Sequence, residues 1–522
     1  MNKRKFNIWL PFLISVAMVA GIFLGYKMRE TIPNKNFFFL EKRKPIEQIL
    51  DLINNKYVDS ANVQDLADTA ITAILSKLDP HSYYIPASKV EQANDDIYGS
   101  FYGIGIEFEI YNDTLNVINV LQGGPAESAG LQVGDLIITG GDSALAGKKR
   151  SPDDIRKILK GNRGSLIKLG ILRNNKMIYL NVARDQVPVS SIDAAYFIEP
   201  SVGFMRINKF STQTYREFMI SLDSLKKAGL KKLILDLRDN GGGVMEEAVE
   251  IADEFLSGDK LITYTEGLHS PKKEYRSRRL GQFETGPLVV LINEGSASAS
   301  EILAGALQDW DRATIVGRRS FGKGLVQEQF NLNDNSALRL TVARYFTPLG
   351  RSIQRSYANG IKEYYGEISA RFMQDSAHID SSKGKPFKTP AGRILYGEDG
   401  INPDVSVGFD TSHYGLTIYK IFARGLVKDF GYRYRILNPE IKNYSISDFK
   451  NNFDIERNGW SLFKELALKD SLSVENLKPN DKSFLIKSLK LSVARQLWQN
   501  EGYFEIMNSD DEVVRKALTI LN

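Results

Sequence analysis

Between residues 202 and 316 the chain alternates short apolar runs with amphipathic stretches, and few folds satisfy that alternation. Val202–Ile207, Leu233–Leu237, Leu288–Ile292 and Thr314–Val316 are strand-length and almost wholly apolar. Helical spacing follows the first three, over Thr214–Leu225, Glu246–Leu256 and Ala299–Gln308. Strands buried on both faces and joined through helices form a parallel sheet, so an α/β core is expected.

The chain has no cysteine, which excludes thiol nucleophiles, disulfides and thiolate-bound metals. Its four histidines, His81, His269, His378 and His413, are scattered, so no local metal site is expected. A formal charge of +5 over 522 residues, without a long basic stripe, gives no case for nucleic acid.

Lys3, Arg4 and Lys5 precede 19 uncharged residues, Ile8–Tyr26, which Lys27 and Arg29 close. That length spans a bilayer as a helix, and the leading basic flank favours a cytoplasmic amino terminus. Residues 1–30 are therefore expected to be a signal anchor or signal peptide. No clean small-x-small cleavage site follows, which favours the uncleaved, single-pass anchor. The bulk of the chain is then exported to the periplasmic side of the cytoplasmic membrane. Residues 31–97 are expected to hold a tether, with Pro33 and Lys42-Arg43-Lys44, and then two amphipathic helices between Pro45 and Leu78. A polar insertion is expected over 355–386, and a helical extension of unassigned role over 411–522, with Leu462, Leu466, Leu468, Leu485, Leu489 and Leu491 recurring at helical spacing.

Residues 98–185 change character to short strands and turns. Pro125-Ala126, Ala129-Gly130-Leu131 and Gly134-Asp135, with strands expected around Leu115–Val120, Leu166–Leu172 and Met177–Val182, resemble a PDZ domain. That resemblance implies that Gly103, Ile104, Gly105 and Ile106 offer backbone N–H groups to a peptide carboxylate, with the peptide adding as a β-strand.

Ser298 falls between the strand-like Leu288–Asn293 and the helix-like Glu301–Gln308, at a helix amino terminus. Unpaired N–H groups there stabilise developing negative charge, which makes the Ala299 amide a candidate oxyanion donor. The rival reading is plain capping, with Glu301 completing a capping box. Asp236-Leu237-Arg238-Asp239-Asn240-Gly241-Gly242-Gly243 closes a buried strand, and its glycines let backbone approach a ligand; Gly242 and Gly243 are candidates for the second oxyanion N–H. Lys323, 25 residues after Ser298 and between two glycines, suggests a lysine base, which works only if burial keeps its amine neutral. Gln327 stands four residues further on, where it could orient that amine. Gly317–Gly324 nearly matches a phosphate-binding loop, but Gly324 replaces the Mg²⁺-binding hydroxyl and the following residues read as strand. His269 lies in a charged segment that reads as solvated loop.

With Leu78-Asp79-Pro80-His81-Ser82, Phe321–Gln327, Thr347–Gln354 and Gly400–Asp404, the chain resembles the carboxyl-terminal processing (tail-specific) serine proteases. The resemblance implies an α/β core of the Clp protease/crotonase type over 186–410 with an inserted PDZ domain. It makes Ser298 the nucleophile, Lys323 the base and Gln327 its orienter, and it calls for no metal or other cofactor. Substrates would be proteins and peptides presented by their C-terminal carboxylates, with room for a homo-oligomer. The alternative is a catalytically inactive PDZ scaffold that binds envelope proteins.

Overall fold

The computed structural model describes residues 3–31, 44–373, 385–408 and 415–522. The chain divides into two compact units, Met1–Ile74 and Leu75–Asn522. In the first, one helix runs over Lys3–Thr31, and its Trp9–Lys27 stretch is long and apolar enough to cross a membrane. Helices Pro45–Lys56 and Val63–Leu75 follow; the tether before them lies, apart from its ends, outside the described residues.

The second unit is built on a six-stranded sheet. Its order is Ile192–Glu199, Val202–Ile207, Lys232–Asp236, Leu288–Ile292, Thr314–Gly317 and Val405–Ser406. Only the first pair is antiparallel. Strand side chains alternate between faces, so each apolar run serves two layers. Met205, Leu235 and Val290 pack with Phe218, Ile251 and Leu303 of helices Thr214–Lys227, Met245–Asp253 and Ala299–Asp309. Phe204, Ile234 and Val289 face the other way, against Val513, Val514 and Ala517 of helix Glu512–Leu521. The C-terminal extension thus supplies the second cover of the sheet, a role its helical periodicity does not reveal. The rest of it closes a separate core around Phe430, Phe449, Phe463 and Leu485. Leu468, expected inward with Leu466, points to solvent at 72% exposure.

A second, antiparallel sheet stands beside the first. It joins Tyr83–Ile85, Ala337–Phe346, Leu261–Gly267 and Ser270–Arg276, with Leu325–Asn331 also on Ala337–Phe346. The expected 31–97 region spans both units. Residues from Leu75 belong to the larger unit, where Tyr83–Ile85 is a strand and Ala87–Tyr98 a helix. A three-residue strand is too short to leave a periodic signal.

A two-stranded ribbon, Ser100–Gly103 against Asp185–Pro188, brackets the PDZ sheet. That sheet runs Ile106–Tyr111, Thr114–Val120, Leu136–Gly140, Leu166–Arg173 and Lys176–Ala183. Helix Pro152–Leu159 packs Ile155 and Leu159 against Val117, Ile137 and Leu169. Asn174 and Asn175 both take positive φ (50° and 60°), as the tight turn before the last strand requires.

Val514 is fully buried on the sheet. Val514→Asp would place an unpaired charge there and is expected to lower stability by about 2 kcal/mol or more. Urea unfolding checks this; an unchanged midpoint would mean that the last helix is not part of the sheet's core.

Candidate active site

Three loops meet at the carboxyl ends of the parallel strands. The first is Asn293–Ser298, between strand Leu288–Ile292 and helix Ala299–Asp309. Ser298 caps that helix with φ 54° and ψ −112°, a backbone region that costs a non-glycine residue strain. The turn is pinned on both sides: Ser296 Oγ donates to Leu237 O at 2.7 Å, the Ala297 amide to Asn240 O at 2.9 Å and Ser300 Oγ to Asn240 O at 2.9 Å.

The second loop is Leu237–Gly243. Gly242 lies so close to the serine turn that a Cβ would stand 2.6 Å from Ala297 O and 2.7 Å from Ser298 Cβ. At Gly243 a Cβ would fall 2.0 Å from Phe210 O. The Gly242 amide donates to Asn240 Oδ1 at 2.9 Å, so it is not free to meet an oxyanion here; what Gly242 supplies is room. The Gly243 and Ala299 amides have no hydrogen-bond partner among the described residues.

The third loop, Ser320–Gly324, carries Lys323. Two buried groups bind it to the serine turn. Glu301 Oε2 accepts from the Ser298 amide at 2.8 Å and the Lys323 amide at 2.9 Å; Oε1 accepts from Ser320 Oγ at 2.5 Å and the Gly322 amide at 2.7 Å. Burial pushes the Glu301 carboxyl up to about 7 against these four donors, each of which favours the ionised form. The Tyr345 hydroxyl lies 2.6 Å from Lys323 O and 3.1 Å from Ser298 O. Burial also pulls the Lys323 ammonium below the usual lysine range; the Glu301 charge opposes the shift and the Arg339 guanidinium adds to it.

The serine and lysine loops are thus joined through their backbones, while the Ser298 and Lys323 side chains make no hydrogen bond to each other among the described residues. Gln327 lies on strand Leu325–Asn331, just after Lys323, and its Nε2 is buried without a partner among the described residues. That strand, rather than a helix, follows the glycine-rich Gly317–Gly324 stretch, which removes the phosphate-loop geometry.

Sequence reasoning missed most of the lysine's surroundings. Asp79 accepts from the His81 and Ser82 amides at 2.7 Å, and Ser82 Oγ accepts from the Thr341 amide at 3.0 Å; this fastens the Leu78–Ser82 turn to the second sheet. His81 Nε2 lies 2.9 Å from the Tyr364 hydroxyl. Burial, with help from the Lys323 charge, lowers its pKa to about 4. Tyr364 belongs to helix Ile361–Met373 of the insertion, and Arg371 on the same helix donates to Ser320 O at 3.1 Å. The described part of the insertion therefore buttresses the lysine loop; residues 374–384 lie outside the described residues. His269 is exposed in the turn between Leu261–Gly267 and Ser270–Arg276.

At the PDZ unit, Gly103, Ile104, Gly105 and Ile106 line a groove of about 270 Å³ with Phe101 and Leu159. Leu121 and Ala126 donate to the Gly105 and Ile104 carbonyls, while the Ile104 and Gly105 amides have no partner among the described residues. Two adjacent free N–H groups beside an apolar groove suit a terminal carboxylate.

Residues 201–363 match the family model described as peptidase family S41, and residues 103–183 match that of the PDZ domain. A carboxy-terminal-processing protease of Bartonella bacilliformis is 35% identical over 353 residues, which are 65% of this chain and 80% of that protein. A probable CtpA-like serine protease of Staphylococcus epidermidis is 32% identical over 312 residues, 59% of this chain and 63% of that protein. A solved structure of a photosystem II D1 C-terminal processing protease is 25% identical, with 73% of this chain and 91% of that chain covered and a TM-score of 0.36.

Glu301→Gln sets an NH₂ group against backbone donors and is expected to destabilise the fold by about 2 kcal/mol. The pH dependence is more specific. With its folded pKa raised to about 7 from an ordinary 4.5, this carboxyl makes the native state bind the extra proton. Its contribution to stability is then fullest below about pH 4.5 and is lost as pH rises through about 7. Urea unfolding of wild type and Glu301→Gln at pH 5 and pH 8 should show the wild-type advantage shrinking at the higher pH; a constant difference would contradict the placement of this charge.

Proposed function

The chain belongs to peptidase family S41, the carboxy-terminal-processing serine proteases, and from that premise we propose that Ser298 and Lys323 form its catalytic dyad. The observation that carries the reading is the double tie between the two loops, through the Glu301 carboxylate and the Tyr345 hydroxyl, beside a lysine whose charge burial disfavours. Lys323, neutral, takes the proton of the Ser298 hydroxyl as the oxygen attacks the peptide carbonyl. The oxyanion is held by the Gly243 and Ala299 amides. Lys323 then gives its proton to the departing amine, leaving an acyl ester on Ser298. Water adds to that ester with Lys323 again taking a proton, and the Ser298 oxygen regains its hydrogen as the acid departs.

Gln327 offers a buried N–H that a neutral Lys323 amine can accept, which supports its part as orienter. Substrate tails dock by their carboxylates on the Ile104 and Gly105 amides. Trp9–Lys27 anchors the enzyme, with Lys3, Arg4 and Lys5 on the cytoplasmic side and the catalytic unit exported. Against the inactive-scaffold alternative stand the serine, lysine and glutamine, all present, and the Gly243 and Ala299 amides, which have no partner among the described residues.

Ser298→Ala and Lys323→Ala should each abolish cleavage of a denatured protein while far-UV circular dichroism stays unchanged. Full activity in either variant rejects the dyad. In the wild type kcat/KM should rise with pH along a single ionisation below the ordinary lysine value of about 10.4, because the protonated amine cannot accept the serine proton. A profile that follows an ionisation near 6.5 and survives Lys323→Ala would point to a histidine base instead.

A further inference from the structure

Strand Ile106–Tyr111 is an edge of the PDZ sheet: Thr114–Val120 pairs with its inner side, and no strand pairs with its outer side among the described residues. Exposed edges invite another strand and are usually blunted or covered. Here the C-terminal extension stands opposite and leaves a cavity of about 690 Å³ between them. Glu107 and Glu109 of the strand line one side, and Ser488, Ser492 and Gln496 of helix Pro479–Met507 the other. Gln496 lines this wall, and its Oε1 is a buried acceptor with no hydrogen-bond partner among the described residues.

The cavity is continuous with the carboxylate groove, because Ile106, Phe108 and Arg156 line both. At the far end of the strand Tyr111 stacks on Tyr432 of the extension, ring centroids 5.6 Å apart and planes 21° apart. The wall is fixed to the PDZ unit by Tyr432, whose hydroxyl donates to Asn116 Oδ1 at 3.2 Å, and by Gln499, whose Nε2 donates to Asn119 Oδ1 at 3.1 Å. Helix Pro479–Met507 breaks at that second contact, where Gln499 takes φ 57° and ψ −145°. Strain of this kind persists only where its surroundings enforce it.

We propose that the extension is the second wall of a peptide channel, and that this protein reads about six residues of a substrate tail. The inference rests on the carboxylate-docking reading and extends it. A tail whose carboxylate meets Ile104 and Gly105 adds antiparallel to Ile106–Tyr111 and runs towards Tyr111. Six strand residues span roughly 20 Å, which sets the length of tail that the channel holds. The terminal side chain enters the carboxylate groove, the peptide backbone pairs with the strand edge, and the Gln496 amide turns from its buried position so that its Oε1 accepts an upstream N–H.

The test uses the full chain carrying Ser298→Ala, so that nothing is cut. Binding is measured by competition for three peptides: one of eight residues ending Ser-Leu-Ala-Val, its last four residues alone, and the eight-residue peptide with an amidated terminus. The longer acid should bind about tenfold tighter than the shorter, the scale of one or two added ladder hydrogen bonds. Gln496→Leu, and separately Arg495→Glu at an exposed residue that lines the same cavity and whose reversal would set a third carboxylate beside Glu107 and Glu109, should cut that gain to within about threefold while leaving the four-residue peptide unaffected. Equal binding of the long and short acids, or a gain untouched by both variants, overturns the second wall alone if amidation still abolishes binding. If amidation changes nothing, the carboxylate reading fails and this inference falls with it.

Discussion

One carboxylate holds the candidate site together. Glu301 lies three residues past Ser298 on the same helix, and both its oxygens are filled by donors from the serine turn and the lysine loop. Placing a carboxylate in a fully buried position is costly, and four short hydrogen bonds offset the cost only while all four donors stay in place. The distance between the two loops is therefore set by a group that the proposed bond-breaking steps do not use. Tyr345 sets it a second time, from a strand of the other sheet. The two side chains of the proposed dyad are carried on backbones that cannot drift apart separately.

The glycine loop is held from behind in a comparable way. Asp236 is completely buried at the end of its strand. Burial works against its charge, but Arg238 and Arg206 overcome that and hold the carboxyl down at about 2. Arg206 also donates to Arg238 O at 2.8 Å, and Arg238 reaches Asp511 Oδ2 at 2.7 Å. Asp511 caps the last helix, whose apolar face covers the sheet. The same C-terminal extension thus touches the sheet, the back of the glycine loop and the PDZ strands, so it is built into the same unit as they are.

Much of this could be read from the sequence, for physical reasons that differ by element. The parallel sheet was legible because strands buried on both faces must be apolar along their whole length, and helix Ala299–Asp309 because its apolar spacing is strong. Their junction placed Ser298. Glu301 was legible only as a cap: its remaining donors come from Ser320, Gly322 and Lys323, and a contact across some twenty residues leaves no local pattern. Tyr345 sits in a strand where an aromatic reads as packing. Helices of the extension were visible, but the apolar stripe of Val513, Val514 and Ala517 says only that something covers it. The Leu78–Ser82 turn stood out as a motif, yet its attachment to the lysine's surroundings needed three dimensions.

The central claim is that burial around residue 323 makes its amine a base at ordinary pH. The most direct measurement is a ¹³C NMR titration of protein labelled at lysine Cε, with the Lys323 resonance assigned by its loss in Lys323→Arg. The account predicts a midpoint clearly below the ordinary lysine value of about 10.4. A Lys323 resonance that titrates at or above that value would contradict it.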